Sequence, residues 1–95
     1  INDILATGGG SRSDLWLQIK ADMLGRPVKR ARYRESGTAG AAIAAGLAIG
    51  IYDSVEQGVA AFKGAEKDFV ANPKYSETYA KLQKRYQEVV EKILL

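Results

Sequence analysis

The 95-residue sequence predicts an α/β fold: a strand, a helix and a second strand, followed by three helices. Three observations carry this. The short apolar run Ile4, Leu5, Ala6 stops at Gly8-Gly9-Gly10, which reads as a buried strand entering a tight turn. Leu15, Trp16, Ile19, Met23 and Leu24 then recur at helical spacing. The last quarter of the chain carries an amphipathic pattern of three- and four-residue steps.

The first helix is expected over about Ser13 to Leu24. Ser11 and Ser13 are candidate caps, because a hydroxyl there accepts from an unpaired backbone N–H. Asp14 places a negative charge at the positive end of the helix dipole. Gly25 supplies a left-handed stop, with Pro27 two residues later. Val28 to Tyr33 reads as the second strand, and Glu35 to Thr38 as a turn. Ala39 to Ile49 is nearly all Ala, Gly and Ile, and a helix apolar all round is normally buried. Asp53 or Ser54 caps a third helix over about Val55 to Lys63. Phe69 and Val70 follow a charged connector. Asn72-Pro73 opens the last helix, an Asn cap before Pro at the first helical position. Its face is Tyr75, Tyr79, Leu82, Tyr86, Val89, Val90, Ile93 and Leu94. Two parallel strands do not make a stable sheet, so they are expected to edge a larger one. The chain opens on Ile1 rather than Met, and a piece of a longer protein is expected.

Composition sets limits on function. The chain is 46% hydrophobic and 26% charged, as in ordinary globular domains. A net charge of +3 permits an anionic ligand without requiring nucleic acid. With no Cys and no His, thiolate zinc sites and Cys or His nucleophiles are excluded within this chain. No secretory leader is visible, and the weakly polar run from Gly37 to Tyr52 is too short to span a bilayer. A cytoplasmic location is expected, with no membrane or nucleic-acid partner.

The glycine turn is the main candidate site. Without side chains at Gly8, Gly9 and Gly10, a ligand can reach the backbone, and helix-start N–H groups favour phosphate. The plain alternative is a strained turn with no ligand, since glycine is the default there. No Lys follows the turn, so the phosphate-cradling NTPase motif is absent. A dinucleotide fingerprint is nearly present: Gly8, Gly10, then Ser13, with Glu35 22 positions further on as the ribose-holding acid. Asp22 reads as a packing carboxylate near Arg26 rather than a catalytic one. Arg26, Lys29, Arg30, Arg32 and Arg34 read as a solvated strand edge rather than a nucleic-acid stripe, because no aromatic ladder accompanies them.

Two stretches, TGGGSRSDLWLQIKADMLGRPV and ESGTAGAAIAAGLAIGIY, resemble the carboxyl-terminal domain of the FGGY carbohydrate kinases. The glycine turn, then Trp16, Gln18, Ala21, Asp22 and Gly25, then Ala39-Gly40-Ala41-Ala42 carry the resemblance together. It implies the actin-like, ribonuclease-H-like ATPase fold. Residues 1–95 would be the carboxyl-terminal part of the nucleotide-binding second domain, without the sugar-binding first domain. The implied reaction is phosphoryl transfer from ATP, with Mg2+ held mainly outside this chain, to a sugar or polyol. Gly8, Gly9 and Gly10 would border the nucleotide. Ser13 stands where glycerol kinases use a longer Asn for the same purpose. The family's catalytic base has no counterpart here, so no catalytic and no metal-ligating residue is assigned. The remainder of the same kinase is the expected partner, with homo-oligomerisation left open. Two other readings stand beside it: a non-catalytic binding or assembly module using the Tyr75–Leu94 face, and a dinucleotide-binding fragment using Glu35.

Overall fold

The computed structural model describes residues 1–94. β1 spans Leu5–Ala6 and leads through a 3-10 turn, Gly9–Arg12, into α1, Asp14–Leu24. β2 is Val28–Ala31, α2 Ser36–Ala48, α3 Val55–Phe62 and β3 Ala65–Phe69. A second 3-10 turn, Pro73–Tyr75, precedes α4, Ser76–Leu94.

The expected strand–helix–strand unit is present: β1 pairs in parallel with β2, Leu5 beside Lys29 and Ala6 beside Arg30. The local signals act as read. The Ser13 hydroxyl accepts from the Trp16 amide at 3.1 Å, capping α1. Gly25 ends it at φ 63°, the left-handed region that glycine enters without steric cost. Ser54 caps α3 through the Gln57 amide. Asn72 accepts from the Lys74 amide, but it caps the 3-10 turn Pro73–Tyr75, and α4 begins only at Ser76.

Elsewhere the structure departs from the sequence reading. The charged connector is a strand: β3 pairs antiparallel with β2, giving a sheet of order β1-β2-β3. Only Phe69 of β3 is buried, so a polar, charged edge strand carries little apolar signal. β2 is therefore the middle strand and not a solvated edge. α2 begins at Ser36, three residues before the expected start. Ser36, Gly37 and Thr38 are weak helix formers, yet they occupy a first turn, whose amides need no partner within the helix. α2 is also largely exposed in this chain, with only Gly46 buried, contrary to the burial its composition suggests.

The core is small and lies between α1 and the sheet: Leu17, Ala21, Val28 and Phe69, flanked by Ile4 and Ala6. Asp22, buried on α1, accepts from Gln18 Nε2 at 2.9 Å and from the Asn72 amide at 2.7 Å. It ties α1 to the segment after β3. Arg26, its expected partner, instead donates to the Ile1 carbonyl at 2.7 Å.

Candidate nucleotide-binding turn

The glycine turn lies where β1 ends beside the exit of β2. Gly8 adopts φ 83° and ψ −176°, a conformation that a side chain would strain. Its N–H donates to the Arg34 carbonyl at 2.8 Å, tying the turn to the chain leaving β2. Its carbonyl accepts twice, from the Ser11 amide at 3.1 Å and the Ser11 hydroxyl at 2.6 Å. Gly8 thus shapes the turn, and its amide is already engaged. The amides at Gly9 and Gly10 open the 3-10 turn, where first-turn N–H groups have no partner within it.

Space around the three glycines differs. A Cβ built at Gly9 meets nothing within 4 Å, and Gly9 is not among the positive-φ glycines. At Gly10 a Cβ would touch the edge of Trp16 at 3.8 Å, ordinary contact. Gly9 is therefore glycine for neither packing nor backbone strain within this chain. The expectation that the glycines lead straight into a helix needs revision. A four-residue 3-10 turn intervenes, and α1 starts only at Asp14. Ser13 faces α1 as its cap, using a lone pair on the Trp16 amide. Its hydroxyl proton remains a donor.

Beside the turn is an open cleft of about 500 Å³, lined by Arg12, Arg32, Arg34, Glu35 and Thr38 among others. It lies between the turn, the end of β2 and the start of α2. Arg12 and Glu35 face each other across it at 3.3 Å, both exposed. Glu35, the ribose-holding acid of the dinucleotide reading, is thus paired with a cation. The cleft is not legible in the sequence, where Arg32 and Arg34 look like one edge with Arg30. In fact β2 ends at Ala31, so Arg30 lies within the strand and Arg32 and Arg34 lie beyond it, while alternation along the strand separates only Lys29 from Arg30. Arg30 is buried behind the turn, Lys29 pairs with Asp3 at 3.0 Å, and Arg32 and Arg34 pass beyond the strand to the cleft.

Behind the turn lies a charge network. Arg30 on β2 and Lys67 on β3 are directly paired across the sheet, two cations side by side. Such a pair repels, and Asp14 relieves it by accepting from Arg30 on one oxygen and from Lys67 at 2.7 Å on the other. The hydrogen bonds from Lys67 and then Arg30 hold the Asp14 carboxyl down at about 2, below the usual 3.8. Among the described residues no three His, Cys, Asp or Glu side chains gather as a metal-holding group.

Residues 1–49 match the FGGY family of carbohydrate kinases, C-terminal domain. The autoinducer-2 kinase of Photorhabdus laumondii subsp. laumondii is 33% identical over 88 residues, 93% of this chain. The ligand-bound xylulose kinase of Lactobacillus acidophilus superposes with a TM-score of 0.80 at 31% identity, covering 98% of this chain and 19% of that one. The gluconate kinase of the same organism gives 0.79 at 32% identity, covering 97% and 18%. This chain spans only 17% of the length of the autoinducer-2 kinase it matches. Over nearly its whole length the chain thus has the fold of solved sugar kinases. The chain belongs to the FGGY family of carbohydrate kinases and matches their carboxyl-terminal domain.

Proposed function

We propose that this chain is the nucleotide-side piece of an ATP-dependent kinase that phosphorylates a hydroxyl of a sugar or polyol. The observation that carries the reading is Gly9: in a family of kinases, it leaves backbone open in a turn whose Arg12 lines a cleft, although nothing in the chain needs it to be glycine. We assign that open backbone to a bound nucleotide. Gly8, Gly9, Gly10 and Ser13 then border the nucleotide, Gly8 by shaping the turn, Gly9 and Gly10 by open amides, and Ser13 by its hydroxyl proton. Arg12, Arg32 and Arg34 give the adjoining cleft a positive character suited to polyphosphate. Phosphoryl transfer depends mostly on positioning and charge stabilisation, and positioning is what these residues supply. The acceptor and the proton-accepting base belong to the rest of the enzyme.

The test is ATP consumption by the full-length protein, wild type and Gly9→Val, against xylulose and other ketopentoses, gluconate, glycerol and autoinducer-2. The wild type should turn over at least one acceptor. Gly9→Val should fold normally, since its Cβ meets open space. Its KM for ATP should rise about tenfold or more, the effect of roughly 1.4 kcal/mol of lost contact. Absence of phosphorylation with every acceptor, or an unchanged ATP KM in the variant, counts against the reading.

A further inference from the structure

Arg30 is the only cation of its cluster that is withdrawn from solvent, at 7% exposure. Burying a guanidinium is costly unless its donors are met, and here they converge on one feature. Nε donates to the Ser11 carbonyl at 2.6 Å, and Nη2 reaches the Arg12 carbonyl at 3.4 Å. Nη2 also donates to Asp14, whose other oxygen holds Lys67. The guanidinium stacks 5.3 Å from the centre of the buried Phe69 ring, which limits its sideways movement. One side chain from the central strand therefore grips two successive carbonyls at the back of the 3-10 turn and the first residue of α1.

Within the turn, the buried Ser11 holds the Gly8 carbonyl through its amide and its hydroxyl. A Cβ at Gly8 or Gly9 would meet nothing within 4 Å, so the side of the backbone where it would sit is open. The front is tied by the Gly8 amide to Arg34, and the back by Arg30. We propose that Arg30 is a positioning residue for the nucleotide: it fixes the glycine turn from behind so that the Gly9 and Gly10 amides face the ligand in one arrangement. This rests on the reading of the turn as the nucleotide contact.

The experiment is steady-state kinetics of the full-length kinase with ATP and acceptor varied separately, for Arg30→Met, Arg30→Lys and Gly9→Val, with thermal melts for each. Arg30→Met should raise the ATP KM about tenfold, as loss of charge-assisted hydrogen bonds predicts, with the acceptor KM within about twofold. Arg30→Lys keeps the charge but offers a point donor rather than a fork, and should recover part of the loss, to about threefold. A general loss of structure would instead move both KM values or the active fraction. Should Arg30→Met fail to fold, Arg30→Lys carries the test, and an ATP KM unchanged in it overturns the proposal. If Gly9→Val weakens ATP while neither Arg30 variant does, Arg30 is not a positioning residue and the nucleotide reading stands. If Gly9→Val is also without effect, the nucleotide reading itself fails.

Discussion

Asp14 illustrates how one side chain can serve several neighbours. In sequence it is a helix-start acid suited to the dipole. In the structure it also lies between Arg30 and Lys67, the facing cations of β2 and β3. Because its pKa is depressed in the folded state, to about 2, its contribution to stability is fully present above the ordinary 3.8 and is lost as pH falls toward 2. Unfolding midpoints in urea should therefore fall over that acid window in the wild type. Asp14→Asn should be less stable at neutral pH and lose this part of the pH dependence. An equal acid slope in both proteins would contradict the assignment. Asp22 gives the opposite lesson: its sequence neighbour Arg26 turns away, and its partners come from Gln18 and the distant Asn72 amide. Helical spacing identifies which partners are reachable, not which are taken.

α1 was the most legible element, because cap, dipole acid, apolar stripe and glycine stop all agree. β3 was not, because an edge strand buries one residue, Phe69, and reads otherwise as a polar linker. The α2–α3 pair shows a further device that composition only hinted at. A Cβ at Gly46 would lie 2.6 Å from the Tyr52 ring, and one at Gly58 2.6 Å from Ile43 Cγ2. Both contacts are with side chains that are stiff near the backbone, a ring and a β-branched carbon. Gly46→Ala should gain up to about 1 kcal/mol of helix propensity. It should lose about 1–3 kcal/mol to overpacking, so a net destabilisation is expected in urea unfolding. Adding Tyr52→Ala should relieve much of it in a double-mutant cycle. Gly40→Ala, on the same helix with nothing within 4 Å, should show no such penalty.

The molecule is extended, 53 × 33 × 22 Å, with a radius of gyration of 17.9 Å. A compact domain of this length would have about 12 Å. α4 causes much of this. It meets α1 through Tyr79, Leu82 and Tyr86 against Met23 and Leu24, forming a groove rather than a sealed core. None of its described residues is fully buried. Stability should thus be unevenly spread. Leu17→Ala, fully buried, should cost about 2–5 kcal/mol. Leu82→Ala, 53% exposed, should cost less than about 1 kcal/mol in this chain. Equal losses in urea unfolding of the 95-residue chain would show that α4 is held more firmly than its contacts indicate. Only Tyr79, Leu82 and Tyr86 of the amphipathic stripe of α4 line the groove against α1, since periodicity says nothing of how much of a face is covered.

The sequence alone determined the parallel strand–helix–strand unit, the caps at Ser13, Ser54 and Asn72, and the kinship with sugar kinases. These follow from local backbone chemistry and from residue patterns that short segments carry whole. The tertiary structure decided the rest: that β2 is central, that Arg30 turns inward behind the glycine turn, that Arg12, Arg32 and Arg34 line a cleft, and that Gly9 is open. The first two depend on which strand lies beside β2, a long-range pairing made by a strand with almost no apolar signal of its own.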